Sequence, residues 1–179
     1  MSSPGAGDAD PSAPGTAEAP LATSRQVTVT VLVAALGYFV DIYDLVLFLV
    51  VRLPSLRGIG VPESELLSKG VLLLDLQMAG MLVGGFLWGI LGDRRGRKSV
   101  LFGSILAYSL ANLANGLVTS VPAYAALRFV AGVGLAGELG AGVTLVSEVM
   151  SRHGRGYGTT VVAGVGLLGA VAAALVGRL

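Results

Sequence analysis

The sequence predicts an all-α fold, a polytopic bundle of about five transmembrane helices, and three observations predict it. Of 179 residues 54% are hydrophobic and only 13% charged, with a mean hydropathy of +0.79. A soluble domain carries about 25% charged residues, so this chain has too little polar surface to face water on all sides. The apolar residues gather into five runs, at 27–51, 70–91, 99–119, 122–150 and 157–176, and about 20 residues of helix cross roughly 30 Å of hydrocarbon. Most of the charges fall in the short connections between those runs. Residues 1–26 are mainly Pro, Ala, Gly, Ser and acid, too poor in apolar bulk to form a core, which predicts a disordered cytoplasmic tail. That tail lacks a positive stretch leading into an apolar core, so it does not read as a cleavable signal peptide.

The same composition excludes several classes of function. The chain has no cysteine and one histidine, which leaves no disulfide framework, no thiolate nucleophile and no ordinary zinc site, and neither a metal nor a cofactor is expected. A net charge of +1 is not that of a nucleic-acid binder. Arg94-Arg95-Gly96-Arg97-Lys98 lies between two apolar runs and reads as a cytoplasmic loop, not a nucleic-acid patch. Gly132-Val-Gly134-Leu-Ala-Gly137 spells a dinucleotide fingerprint, but that motif needs a preceding strand. Inside a long apolar run it reads as small residues that let helices approach closely, as do Gly80-x-x-x-Gly84 and Gly85-x-x-x-Gly89.

Orientation follows from the basic residues. With the N-terminus inside, the cytoplasmic segments hold Arg25, Arg94, Arg95, Arg97, Lys98, Arg152 and Arg155, and the outer ones hold Arg52, Arg57, Lys69 and Arg178. The excess of bases inside favours a cytoplasmic N-terminus. The first outer loop is expected to run from Leu53 to Lys69, His153 lies in a cytoplasmic loop, and Trp88 is placed where an amphipathic ring suits the inner membrane interface.

The residues least expected in a bilayer are Asp41 and Asp44 in the first run, Asp75 in the second, and Arg128 and Glu138 in the fourth. A charge at mid-membrane costs about 2.5 to 3.5 kcal/mol on insertion scales, so these must pair or line a wet cavity. At 1.5 Å per residue, Asp44 lies roughly 10 Å, Arg128 roughly 9 Å and Asp75 roughly 8 Å below the outer boundary. Three ionisable groups on three helices thus reach one depth. An ion pair of Arg128 with one carboxylate is the simplest structural account. One arginine does not neutralise both Asp41 and Asp44, which share a helix face three residues apart, so a proton is expected to balance the other carboxylate reversibly. Gln77 lies about 200° round the helix from Asp75 and need not share their site.

Gly89-Ile-Leu-Gly92-Asp93-Arg94-Arg95-Gly96-Arg97-Lys98 closely resembles the signature between the second and third helices of major facilitator superfamily transporters. Arg128-Phe-Val-Ala-Gly132-Val-Gly134 looks like that superfamily's fourth-helix motif, and Ser147-Glu148 with Arg155-Gly156 is similar to the sugar-porter pattern that follows it. Gly37-Tyr-Phe-Val-Asp41-Ile-Tyr-Asp44 resembles first helices of the sugar-porter and metabolite:proton symporter branches, where an acidic residue is associated with proton coupling. The resemblance covers residues 27–177 in order and spacing.

It implies a secondary transporter, not an enzyme, in the cell inner (plasma) membrane, moving a small polar organic solute such as a sugar, organic acid or osmolyte together with protons. In this reading Asp41, Asp44, Asp75, Arg128 and Glu138 belong to the proton and solute pathway. Gly89, Gly92, Asp93, Arg94, Gly96, Arg97, Lys98, Glu148 and Arg155 belong to a cytoplasmic gating loop. Asp93 pairs there with Arg97 and with the positive end of a helix of the other half, and Glu148 accepts from Arg94, Arg97 or Arg155. Such transporters have two six-helix halves with the solute between them, so five helices are expected to be an N-terminal portion that lacks its C-terminal half. The alternative is a small membrane protein that transports nothing and serves as a sensor or assembly subunit.

Overall fold

The computed structural model describes residues 24–149 and 155–177, and every regular element among them is a helix. The elements are α1 (Ser24–Gly58), α2 (Glu63–Arg95), α3 (Arg97–Asn115), α4 (Val121–Val149) and α5 (Arg155–Val176). Three stretches, Val27–Gly58, Glu63–Arg95 and Gly156–Val176, are each long and apolar enough to cross a membrane, and Ser99–Asn115 is a shorter apolar helix. Large apolar side chains such as Leu82, Phe86, Phe102 and Leu167 stand exposed on the outside. That surface suits lipid, not water.

The end of the bundle where α1 passes into α2 differs from the sequence expectation. Instead of a loop from Leu53 to Lys69, α1 continues to Gly58 and α2 begins at Glu63, leaving only residues 59–62 as a connection. The helices continue because their apolar stripes continue: Leu56 and Leu66 join Phe48, Leu73, Tyr124 and Ala125 in one buried cluster. The turn itself is a Schellman motif, with Val61 N–H on Leu56 C=O at 3.1 Å and Gly60 N–H on Arg57 C=O at 2.9 Å. Gly60 occupies the position that needs positive φ, at 85°. Across the turn Arg57 grips Glu63 with two hydrogen bonds of 2.6 and 3.0 Å. On the same side α3 stops at Asn115, not at Thr119, and the next residues, including Val118, fold back onto the buried cluster.

Helix α4 is the hub. It packs along α2 on one side and α3 on the other, while α1 pairs with α5 and meets α4 across the middle. Along the α2–α4 seam the two backbones touch. A Cβ on Gly132 would overlap the carbonyl of Gln77, one on Gly80 that of Phe129, and one on Gly84 would lie 2.5 Å from the Val133 oxygen. The small-residue reading therefore holds for Gly80, Gly84 and Gly132. It does not hold for Gly85 and Gly89, where an added Cβ meets nothing within 4 Å, because both lie off the buried stripe of α2. Trp88 packs into the same region: its Nε1–H donates to the Val133 carbonyl at 2.7 Å, and its ring lies against Gly103 and Gly137.

Candidate functional site

The polar groups of the interior meet where α1, α3 and α4 converge. Tyr108 Oη donates to Asp44 Oδ2 at 2.6 Å, and Asn112 Nδ2 donates to the same oxygen at 3.4 Å. Arg128 Nη2 donates to Asn112 Oδ1 at 2.9 Å. A primary amide gives and accepts at once, so Asn112 joins the guanidinium of α4 to the carboxylate of α1. The direct ion pair expected from the sequence is replaced by this bridge, for no Arg128–carboxylate contact within 4.0 Å is found among the described residues. Arg128 is 5% exposed, and its guanidinium lies over the Phe48 ring at 4.0 Å from the centroid, with Tyr124 at 5.9 Å. Aromatic faces stabilise a cation that has lost its water.

Asp41, one turn inward of Asp44, is 2% exposed, and its Oδ1 has no hydrogen-bond partner. The carboxylates electrostatically coupled to it are Glu138 and Asp44. Glu138 reaches α1 at Gly37, where its Oε1 comes within 3.9 Å of the position a Cβ would take. Asp41, Asp44 and Glu138 of α1 and α4 thus share the interior with Arg128, and a second arginine with buried, unpartnered nitrogens, Arg52 of α1, lies against Gly70 of α2.

Asp75 does not join them. It is exposed on α2, and the buried residue of that turn is Gln77, whose amide oxygen and nitrogen are both unpaired. Equal depth is a coordinate along a helix axis, and it says nothing of azimuth: α2 packs on α4 through Leu73, Gln77, Gly80 and Gly84, which turns Asp75 away.

Beside the bridge lies a cleft of about 320 Å³, reaching toward the C-terminal ends of α1 and α3 and walled by Asp44, Phe48, Asn112, Asn115, Tyr124 and Arg128. At the opposite end, Asp93, Gly85, Gly89 and Gly92 border a second cleft of about 280 Å³ between α2 and α4. Arg94 and Arg95 are exposed there, and Gly96 closes the α2–α3 turn by donating its N–H to the Gly92 carbonyl at 3.0 Å. The side chains of Arg97, Lys98, Glu148 and Arg155, and all of the N-terminal tail before Ser24, Arg152 and His153, lie outside the described residues.

Tyr108, Asn112, Asn115, Phe48 and Tyr124 were not singled out by their sequence pattern. The signal for the first three was present: Ser104, Tyr108, Asn112 and Asn115 recur every three or four residues through an otherwise apolar run, which places them on one face of α3.

The family model of the Major Facilitator Superfamily matches residues 27–179, nearly the whole helical region. The chain belongs to the Major Facilitator Superfamily. This major facilitator chain is 34% identical over 146 residues to the "Putative niacin/nicotinamide transporter NiaP" of Bacillus subtilis (strain 168), covering 80% of itself and 35% of that protein. It is 38% identical over 104 residues to the niacin transporter NiaP of Acinetobacter baylyi, with 58% and 24% covered. With the 3-(3-hydroxy-phenyl)propionate transporter of Escherichia coli (strain K12) it shares 35% over 97 residues, with 54% and 24% covered. The chain thus spans about a third or less of these relatives' lengths. No solved structure matches it. The family is one of membrane transporters, not of enzymes.

Proposed function

We propose that this major facilitator chain supplies the proton-coupling helices of a secondary transporter for a small organic acid. The observation that carries the reading is the Asp44–Asn112–Arg128 bridge, a carboxylate and a guanidinium joined through an amide across three membrane helices. Protonating Asp44 removes the negative charge that faces Arg128, and a change of charge at such a junction alters which packing of the helices is favoured. Asp41 and Glu138 supply further carboxylates inward of it. The names of the relatives, niacin and 3-(3-hydroxy-phenyl)propionate transporters, favour an aromatic acid over a sugar or an osmolyte. A second helical half completes the solute path, and the second cleft, with Asp93 at its edge, lies where that half and the cytoplasm meet.

Proteoliposomes containing the chain together with the helical half that completes it, with an imposed gradient acid outside, should accumulate radiolabelled niacin or 3-(3-hydroxyphenyl)propionate above its external concentration, and counterflow should proceed without the gradient. Uptake of both acids that is absent, or indifferent to the gradient, overturns the reading.

The location that goes with this function is the inner (plasma) membrane with the N-terminus cytoplasmic, supported by the inside excess of basic residues. The turn between α1 and α2 is then outside. In intact cells a membrane-impermeant thiol reagent should label Ser64→Cys and spare Ser99→Cys. The reverse pattern would invert the topology.

A further inference from the structure

Asp75 is left without a role by the interior network. It stands exposed on α2, roughly 8 Å inside the apolar run that starts at Gly70, and it makes no ion pair among the described residues. The bases at that end of the bundle are engaged elsewhere. Lys69 pairs with Glu65 at 3.7 Å, and Arg52 lies against Gly70, on the buried stripe of α2 that is turned away from Asp75. A carboxylate in hydrocarbon is costly, and in a finished membrane protein such residues face protein or water, not lipid. The outward face of α2 is therefore a surface still to be covered.

The neighbours of Asp75 on that face narrow what covers it. At about 100° per residue, Met78, Leu82, Phe86, Gly89 and Asp93 lie within about 60° of its azimuth, and all of them are exposed. Met78, Leu82 and Phe86 are apolar, which does not suit the wall of a water-filled path. At Gly85 and Gly89 an added Cβ meets nothing within 4 Å, and the cleft of about 280 Å³ runs on from them to Gly92, Gly137 and Gly140. Glycines on an open membrane face let another helix backbone approach closely. A second copy of this chain does not fit there, because a two-fold axis along the membrane normal sets Asp75 against Asp75. A helix without charge does not fit either, since it would bury the carboxylate unpaired.

We infer that the outward face of α2 docks a transmembrane helix that carries a lysine or arginine at the depth of Asp75 and small residues opposite Gly85 and Gly89. Asp75 then selects both the partner and its register. A slip of one helical turn, about 5.4 Å, takes the cation off the acid and the small residues off the glycines together. The chain covers 35% of the length of its Bacillus subtilis relative, so the remainder of a complete carrier has helices to supply this one. The face lies on the far side of α2 from the Asp44–Asn112–Arg128 bridge, and its occupation requires no transport of any solute.

The test uses the protein in phosphatidylcholine vesicles, with its single tryptophan, Trp88, as energy donor. The acceptors are synthetic Leu/Ala transmembrane peptides, dansylated at one end, that carry Lys, Leu or Glu at the depth of Asp75. Energy transfer to the Lys peptide should show an affinity about tenfold above that of the Leu peptide, and the Glu peptide should do no better than Leu. Asp75→Asn should bring the Lys peptide down to the Leu level. Gly89→Leu, which fills the gap, should weaken the Lys peptide although Asp75 is intact. Both positions are exposed, so the bundle keeps its packing, which unchanged Trp88 emission without peptide verifies. Equal transfer to all three peptides, or a Lys peptide whose affinity survives Asp75→Asn, overturns the inference. So does ready formation of disulfide-linked dimers by Asp75→Cys in this cysteine-free chain, since that places a second copy on the face. None of these readouts involves a gradient or a solute, so they are distinct from a failure of proton-driven uptake.

Discussion

Asp44→Asn should abolish accumulation driven by a pH gradient while leaving exchange of solute across the membrane detectable. The substitution keeps the size of the side chain and an oxygen for the Tyr108 hydroxyl, so the packing among α1, α3 and α4 stays close to its present form. What it removes is the change of charge. A gradient of one pH unit supplies about 1.4 kcal/mol per proton, enough for an accumulation ratio of about tenfold, and with no proton site at the junction that ratio should fall to about one. Asp41→Asn should lower it less, because Asp44 is the carboxylate tied through Asn112 to Arg128, whereas Asp41 faces Glu138 and makes no hydrogen bond through Oδ1. Uptake and counterflow measured on the same vesicles separate the two effects. Normal gradient-driven accumulation in both variants would leave the carboxylates as structural companions of Arg128.

What could be read from the sequence was what periodicity and length encode. Five helices, their order, and the interior placement of Asp41, Asp44 and Arg128 follow from apolar runs and from the cost of charge in hydrocarbon. Azimuth was less legible. Asp75 and Gln77 lie on opposite sides of α2, and only the packing of Gly80 and Gly84 against α4 shows that the amide, and not the acid, turns inward. The bridging role of Asn112 was also hidden, since a single amide in an apolar run has no partner visible along the chain. Tyr108, one turn before it, and Asn115 after it mark the face, but only three helices together show that Asn112 stands between a carboxylate and a guanidinium. The end of α1 was misjudged for another reason: charged residues after Val51 suggested a loop, whereas Arg57 and Glu63 lie outside a helical turn whose inner side still buries Leu56.

Adjacent glycines on α2 provide the sharpest contrast in expected stability. Gly84→Ala should prevent the protein from accumulating in the membrane in folded form, whereas Gly85→Ala should be tolerated. At Gly84 the new Cβ would stand 2.5 Å from the Val133 carbonyl oxygen and 2.8 Å from the Val133 Cα. Neither atom belongs to a flexible side chain, so the whole of α2 must move off α4. That movement would loosen Trp88 from the same carbonyl and open the contacts at Gly80 and Gly132. Overpacking a well-filled interior costs about 1 to 3 kcal/mol and occasionally more, and a seam made of backbone belongs at the upper end because nothing can rotate away. At Gly85 the same methyl meets nothing within 4 Å, and replacing a helical glycine by alanine favours the helix by up to about 1 kcal/mol. Fluorescence-detected size-exclusion chromatography after a heating series compares the two directly: Gly84→Ala should aggregate at the lowest temperatures, and Gly85→Ala should elute as the parent does. Equal loss in both variants would show that the α2–α4 seam is looser than the contacts at Gly84 imply.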